Sequence, residues 1–108
     1  MNWIPLKDET GLQEIKNRSA EKTQVIFKHS TRCSISSMAL NRLERATAPD
    51  SIDFNYLDLL TYRDLSLRVA NEFSVEHESP QILIIKNGEC VYDESHTGIS
   101  MDQISQQA

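Results

Sequence analysis

The 108 residues carry 16 acidic and 11 basic side chains, with a formal charge of −5, 39% hydrophobic and 25% charged residues; that balance fits one globular core and excludes a disordered chain. The basic residues are scattered rather than gathered into a stripe, which excludes a nucleic-acid partner from the expectations. Met1-Asn2-Trp3-Ile4-Pro5-Leu6-Lys7-Asp8 has no basic start followed by an apolar run, and no segment approaches membrane-spanning length, so no membrane role and a cytoplasmic location are expected.

The first helix signal is Thr10-Gly11-Leu12-Gln13, which has capping-box spacing; Leu12 and Ile15 then form a thin apolar stripe. Gln24 to Lys28, with Val25-Ile26-Phe27 at its centre, reads as a buried strand. Ser30-Thr31-Arg32-Cys33 supplies helix-capping hydroxyls, and Ile35, Met38, Ala39, Leu43 and Ala46 recur at helical spacing until Ala48-Pro49-Asp50 ends the pattern. Phe54, Tyr56 and Asp58 alternate with Asn55 and Leu57 in a second strand, completing a βαβ unit with two parallel strands.

Arg63 to Phe73 forms the next helix, with Leu65, Val69 and Phe73 on one face. Ile82-Leu83-Ile84-Ile85, the type I′ turn Asn87-Gly88 and Cys90-Val91-Tyr92 make an antiparallel hairpin. Ser100 and Gln103 repeat the capping-box spacing and start a short helix around Ile104. The whole of 1–108 is therefore one α/β domain of thioredoxin-like fold, a mixed four-stranded sheet with flanking helices. In this layout Ser79-Pro80 opens the third strand, where a cis-proline usually faces a reactive cysteine.

A catalytic cysteine needs its thiolate favoured, and the first turn of a helix supplies unpaired N–H groups and the positive end of the dipole. Cys33 stands at such a turn. Arg32 adds a cation beside it, and Ser36, three residues on, is expected to turn its hydroxyl toward the sulfur. The polar run Ser30, Thr31, Arg32, Ser34, Ser36 and Ser37 is a poor lining for an inert, packed cysteine, so catalysis is preferred over packing. Ser79 and Pro80 are read as a substrate-docking element, in which backbone groups of residue 79 pair with an incoming peptide or thiol.

Cys90 does not suit a resolving role. Hairpin register pairs it near Ile85, about five residues from Pro80, or roughly 16 Å at ~3.3 Å per residue. A disulfide needs Cα atoms within about 7 Å, so Cys33 is expected to act as a monothiol. The two cysteines with His29, His77 and His96 show no paired metal spacing, and neither a metal nor a bound cofactor is expected. His29 ends a strand beside the active turn and could tune Cys33, but a strand-end histidine is more often a hydrogen-bonded structural residue. His77 and His96 are read as surface or structural, Trp3 and Tyr56 as packing residues, and Glu76, Glu78, Asp93 and Glu94 as solvated edges.

Trp3-Ile4-Pro5-Leu6, Lys28-His29-Ser30-Thr31-Arg32-Cys33-Ser34-Ile35-Ser36, His77-Glu78-Ser79-Pro80-Gln81 and Lys86-Asn87-Gly88 together resemble the YtxJ-type bacillithiol-system proteins, or monothiol bacilliredoxins. Family motifs often read T-C-P-I-S around the cysteine; here Arg32 stands for the threonine and Ser34 for the proline. The resemblance implies that Cys33 takes bacillithiol, as co-substrate, from S-bacillithiolated proteins. It also implies that a low-molecular-weight thiol or a thiol reductase regenerates the cysteine. The rival readings are a glutaredoxin-like reductase using another small thiol and a non-catalytic thioredoxin-like binding module.

Overall fold

Alternation along one strand sets the architecture. In β2 (Thr23–His29), Val25 and Phe27 join one buried cluster and Ile26 joins another, because successive side chains leave a strand on opposite faces. The computed structural model describes all 108 residues. The remaining elements are β1 (Trp3–Pro5), α1 (Glu9–Arg18), α2 (Ser34–Arg45), β3 (Ile52–Asp58), α3 (Arg63–Phe73), β4 (Gln81–Lys86), β5 (Glu89–Ser95) and α4 (Met101–Gln107), with one 3-10 turn at His96–Gly98.

The sheet runs β1-β3-β2-β4-β5, parallel among the first three and antiparallel across β2-β4-β5. Residues of α2 and α4 complete the cluster on one face, where Ala39, Leu43, Met101 and Ile104 meet Val25, Phe27 and Ile84. Residues of α1 and α3 complete the other, where Leu12, Ile15, Leu65, Val69 and Phe73 meet Ile26, Leu83 and Ile85. Both faces of β2 and β4 are covered, which explains the unbroken apolar runs at their centres.

The sheet has five strands where the sequence pattern suggests four. Trp3–Pro5 pairs with Phe54–Tyr56 at the edge; three residues ending in proline are too short to show a period, and proline is tolerated there. The α1 cap is Asp8 rather than Thr10: the Asp8 carboxylate accepts from the Gly11 amide at 2.8 Å, while Thr10 lies inside the helix. Aspartate caps better than threonine, and two candidates two residues apart compete for one helix start. Along α2 the buried stripe is Ser36, Ala39 and Leu43, leaving Ile35 and Met38 exposed at 44% and 59%.

The hairpin follows its sequence signals. Asn87 and Gly88 have φ of 52° and 77°, the left-handed pair a type I′ turn requires, and Ile85 lies opposite Cys90 beside an irregularity at Ile84/Ile85. Ser100 caps α4 by accepting from the Gln103 amide at 3.2 Å.

Candidate active site at the start of the second helix

Three parallel strands finish at one end of the sheet, and their following loops crowd there with the loop that enters β4. Ligand sites of open α/β sheets form outside such carboxyl ends. Cys33 is the N-cap of α2, with extended backbone (φ −107°, ψ 123°) and no capping bond from its side chain. Its amide donates to the Ser30 carbonyl at 3.2 Å, and its carbonyl accepts from the Ser37 amide at 3.0 Å. Backbone bonds hold the turn, and the partly exposed Cys33 keeps a side chain with no cap bond.

Ser36 lies directly under this turn and is fully buried. Its hydroxyl accepts from the Ser30 amide at 3.0 Å and lies 2.7 Å from His29 Nδ1. Burial pulls the His29 pKa below the ordinary histidine value despite opposing attraction from Asp58 and Glu44, which favours a neutral ring accepting the Ser36 proton. The expectation that Ser36 turns its hydroxyl toward the sulfur is thereby corrected: its bonds run to Ser30 and His29. The helix-cap position already fixes Cys33, and the buried amide of Ser30 needs a partner. Arg32 is exposed and forms no ion pair.

His29 is also packed among aromatic side chains. Its ring stacks on Phe27 at 5.6 Å and tilts against Tyr56 at 5.5 Å, while Trp3 stacks on Phe27 at 5.5 Å. This aromatic wall packs around the end of β2 that leads into the Cys33 turn.

The Ser79–Pro80 bond is cis. In the antiparallel register Gln81 faces Lys28, so one further step puts buried Pro80 across from His29 and Ser79 across from Ser30. Ser79-Pro80 and the Cys33 turn therefore share one end of the sheet. The Pro80 carbonyl accepts from the His96 amide at 3.1 Å, and the buried Ser79 hydroxyl has no partner.

Cys90 occupies different surroundings. It sits in β5 opposite Ile85, near the other end of β4, its thiol donates to the Tyr92 carbonyl at 3.3 Å, and burial pushes its pKa up. Both cysteines are free. No cluster of three His, Cys, Asp or Glu side chains is placed to hold a metal ion, and no helix is long and apolar enough to cross a membrane.

The sequence reading passed over Lys28 as the end of a strand. Its side chain is fully buried on the α3 face, donating to the Ser66 carbonyl at 3.0 Å and to His77 Nδ1 at 3.2 Å. A lysine following three apolar strand residues was the available signal. A cavity of about 190 Å³ lined by Leu59, Arg63, Ser66, Leu67 and His77 lies on this face, and one of about 530 Å³ between the β1–α1 and β3–α3 loops shares Arg63.

Fold and site together define a thiol–disulfide oxidoreductase of the thioredoxin class. The model of the family monothiol bacilliredoxin BrxC matches residues 4–104, and the chain belongs to that family. Among solved structures, an oxidoreductase with a thioredoxin fold is 30% identical, with a TM-score of 0.80 over 96% of this chain and 91% of its own. Thioredoxin from Malassezia sympodialis is 19% identical, with a TM-score of 0.76 over 98% of this chain and 90% of its own. Thioredoxin from Fasciola hepatica is 18% identical, with a TM-score of 0.71 over 95% of this chain and 93% of its own. The two thioredoxins are similar in fold.

Proposed function

We propose that Cys33 is the nucleophile and that it removes bacillithiol from mixed disulfides on other proteins. The observation that carries this reading is the partly exposed Cys33 at the start of α2, its side chain engaged in no cap bond, with the other cysteine on the distant hairpin. The Cys33 thiolate attacks the bacillithiol sulfur in line with the S–S bond to the modified protein. The new bond is Cys33–S–S–bacillithiol; the electron pair of the broken bond leaves on the protein's sulfur, which takes a proton from water. A second small thiolate, or a thiol reductase, then attacks the adduct and restores Cys33.

Four residues support that exchange in distinct ways. Ser79 and Pro80 form the edge on which the modified segment docks, with the backbone of residue 79 as its hydrogen-bonding partner. Arg32 supplies an exposed positive charge next to Cys33 in the chain, the thiolate-tuning role its place in the sequence suggests. Ser36 acts on Cys33 indirectly, as the buried link that fixes the turn to His29. The small-thiol adduct accumulates because no second thiol of the chain is placed to displace it, and the cytoplasm, where thiols are kept reduced, is the compartment that suits this cycle.

The test is single-turnover exchange with an S-bacillithiolated protein, followed by intact-mass spectrometry. One bacillithiol per chain should appear on Cys33, and the glutathione mixed disulfide of the same protein should react more slowly. Equal rates with both disulfides would move the reading to a reductase of broader thiol use. Absence of any adduct would sink the nucleophile assignment.

A further inference from the structure

Lys28 is an unusual residue to bury. Its relative exposure is 0%, no carboxylate lies within ion-pair distance, and its neighbours are the Ser66 carbonyl and His77. An ammonium has three N–H donors, so one is left without a protein partner. Because the ammonium only donates, its bond to His77 makes Nδ1 the acceptor and leaves Nε2 as the N–H of the neutral ring. Burial lowers the Lys28 pKa to about 8, so the group still carries charge at neutral pH. Buried charges are ordinarily paired, and this one has no counter-ion in the chain.

The open side of this arrangement is the cavity of about 190 Å³ lined by Arg63, Ser66 and His77, with Leu59 and Leu67 as its apolar walls. Arg63 forms no ion pair either. Arg63 and the His77 ring line the hollow, the Ser66 hydroxyl lies 3.3 Å from His77 Nδ1, and the Lys28 ammonium stands one hydrogen bond behind; a guanidinium and an imidazole are donor chemistry suited to a carboxylate. The volume holds one end of a small molecule rather than a whole ligand.

Its position points to the exchange reaction. The Leu59 amide donates to the His29 carbonyl at 3.1 Å, four residues before Cys33, and His77 is three residues before Pro80. The hollow thus opens at the Cys33 end of the sheet, on the α3 side of β2.

We propose that this hollow is a carboxylate subsite for the small thiol, with Arg63 and His77 as its contacts and Lys28 as the fixed charge behind them. The assignment rests on Cys33 being the exchange nucleophile. It predicts discrimination among small thiols by their acidic groups, which the nucleophile by itself does not supply.

The test compares disulfides of one model peptide with bacillithiol and with 2-mercaptoethanol, which has no carboxylate. Wild type should favour the bacillithiol disulfide by about tenfold in kcat/KM, the equivalent of one charge-assisted contact. Lys28→Met and Arg63→Ala should each reduce that ratio toward one while leaving the 2-mercaptoethanol rate unchanged. Equal losses on both disulfides would overturn the subsite. A peptide pair with Glu or Gln beside the modified cysteine distinguishes the carboxylate's source; a Lys28-dependent preference for Glu would overturn assignment to the small thiol. In parallel, succinate titrated into wild type should shift the NMR signals of the His77 ring, and Lys28→Met should lose the shift. If neither disulfide reacts, the nucleophile reading fails, while the succinate titration still decides the subsite.

Discussion

The two ends of the sheet are built from the same kinds of element and do opposite work. At the carboxyl ends of β1, β2 and β3, buried His29, Ser36 and Ser30 hold one another and leave Cys33 available. At the hairpin end, Asn87 and Gly88 donate to the carbonyl and hydroxyl of Ser19, and Cys90 donates its own thiol to backbone. Polar groups under the first end present a sulfur, whereas those at the second end close a turn. The difference teaches that a cysteine's chemistry follows from whether its neighbours' hydrogen bonds are completed with or without it.

The largest expected effect breaks the comparison outright. Cys33→Ser should abolish single-turnover exchange, while Cys90→Ser should retain it. Iodoacetamide should alkylate Cys33 much faster than Cys90, whose thiol is raised in pKa by burial. An intramolecular Cys33–Cys90 bond in oxidised protein would erase the distinction between the ends.

Ser36→Ala comes next, because it removes the acceptor of the buried Ser30 amide and the partner of His29 together. Leaving such groups unpaired costs about 1–3 kcal/mol, to be read from urea unfolding. Exchange should also slow by about tenfold, since a misplaced nucleophile loses its alignment. An unchanged rate at reduced stability would show that the turn keeps its shape without Ser36.

Lys28 sharpens the comparison through pH. Its folded pKa of about 8 lies below the ordinary 10.5, so between these values the unfolded chain holds a proton that the folded chain has released. Wild-type stability therefore gains with pH across that window from this group, and the burden is greatest below pH 8. Lys28→Met should be the more stable protein at pH 7, and its advantage should shrink as pH rises from 8 to 10.5. Urea midpoints of both proteins over this range check it; a constant gap would mean the buried charge is not responsible.

The smallest effect lies at the hairpin. Ser19→Ala deletes the acceptor of the Gly88 amide at 2.8 Å and should cost about 1 kcal/mol, visible as a lower Tm, with exchange at the wild-type rate. A lower exchange rate would mean that the two ends are coupled.

Local signals in the chain determined which elements form and where the sulfur stands. Asn87-Gly88 specified its turn because only residues tolerant of positive φ fit there, and strand-to-helix order placed Cys33 at a cap. Ser79-Pro80 was legible because the order of elements predicts a proline at that point. The edge strand Trp3–Pro5 was not legible, since a three-residue strand exists only through its partner β3. Nor was the destination of the Ser36 hydroxyl, because sequence spacing put it near Cys33 while tertiary packing put His29 underneath it. Lys28 shows the same limit more sharply: its partners Ser66 and His77 lie 38 and 49 residues away, and only the stacking of α3 and the β4 entry loop on β2 brings them together. Short-range stereochemistry is written into neighbouring residues, whereas the pairing of buried polar groups depends on which distant segments the closed core sets against them.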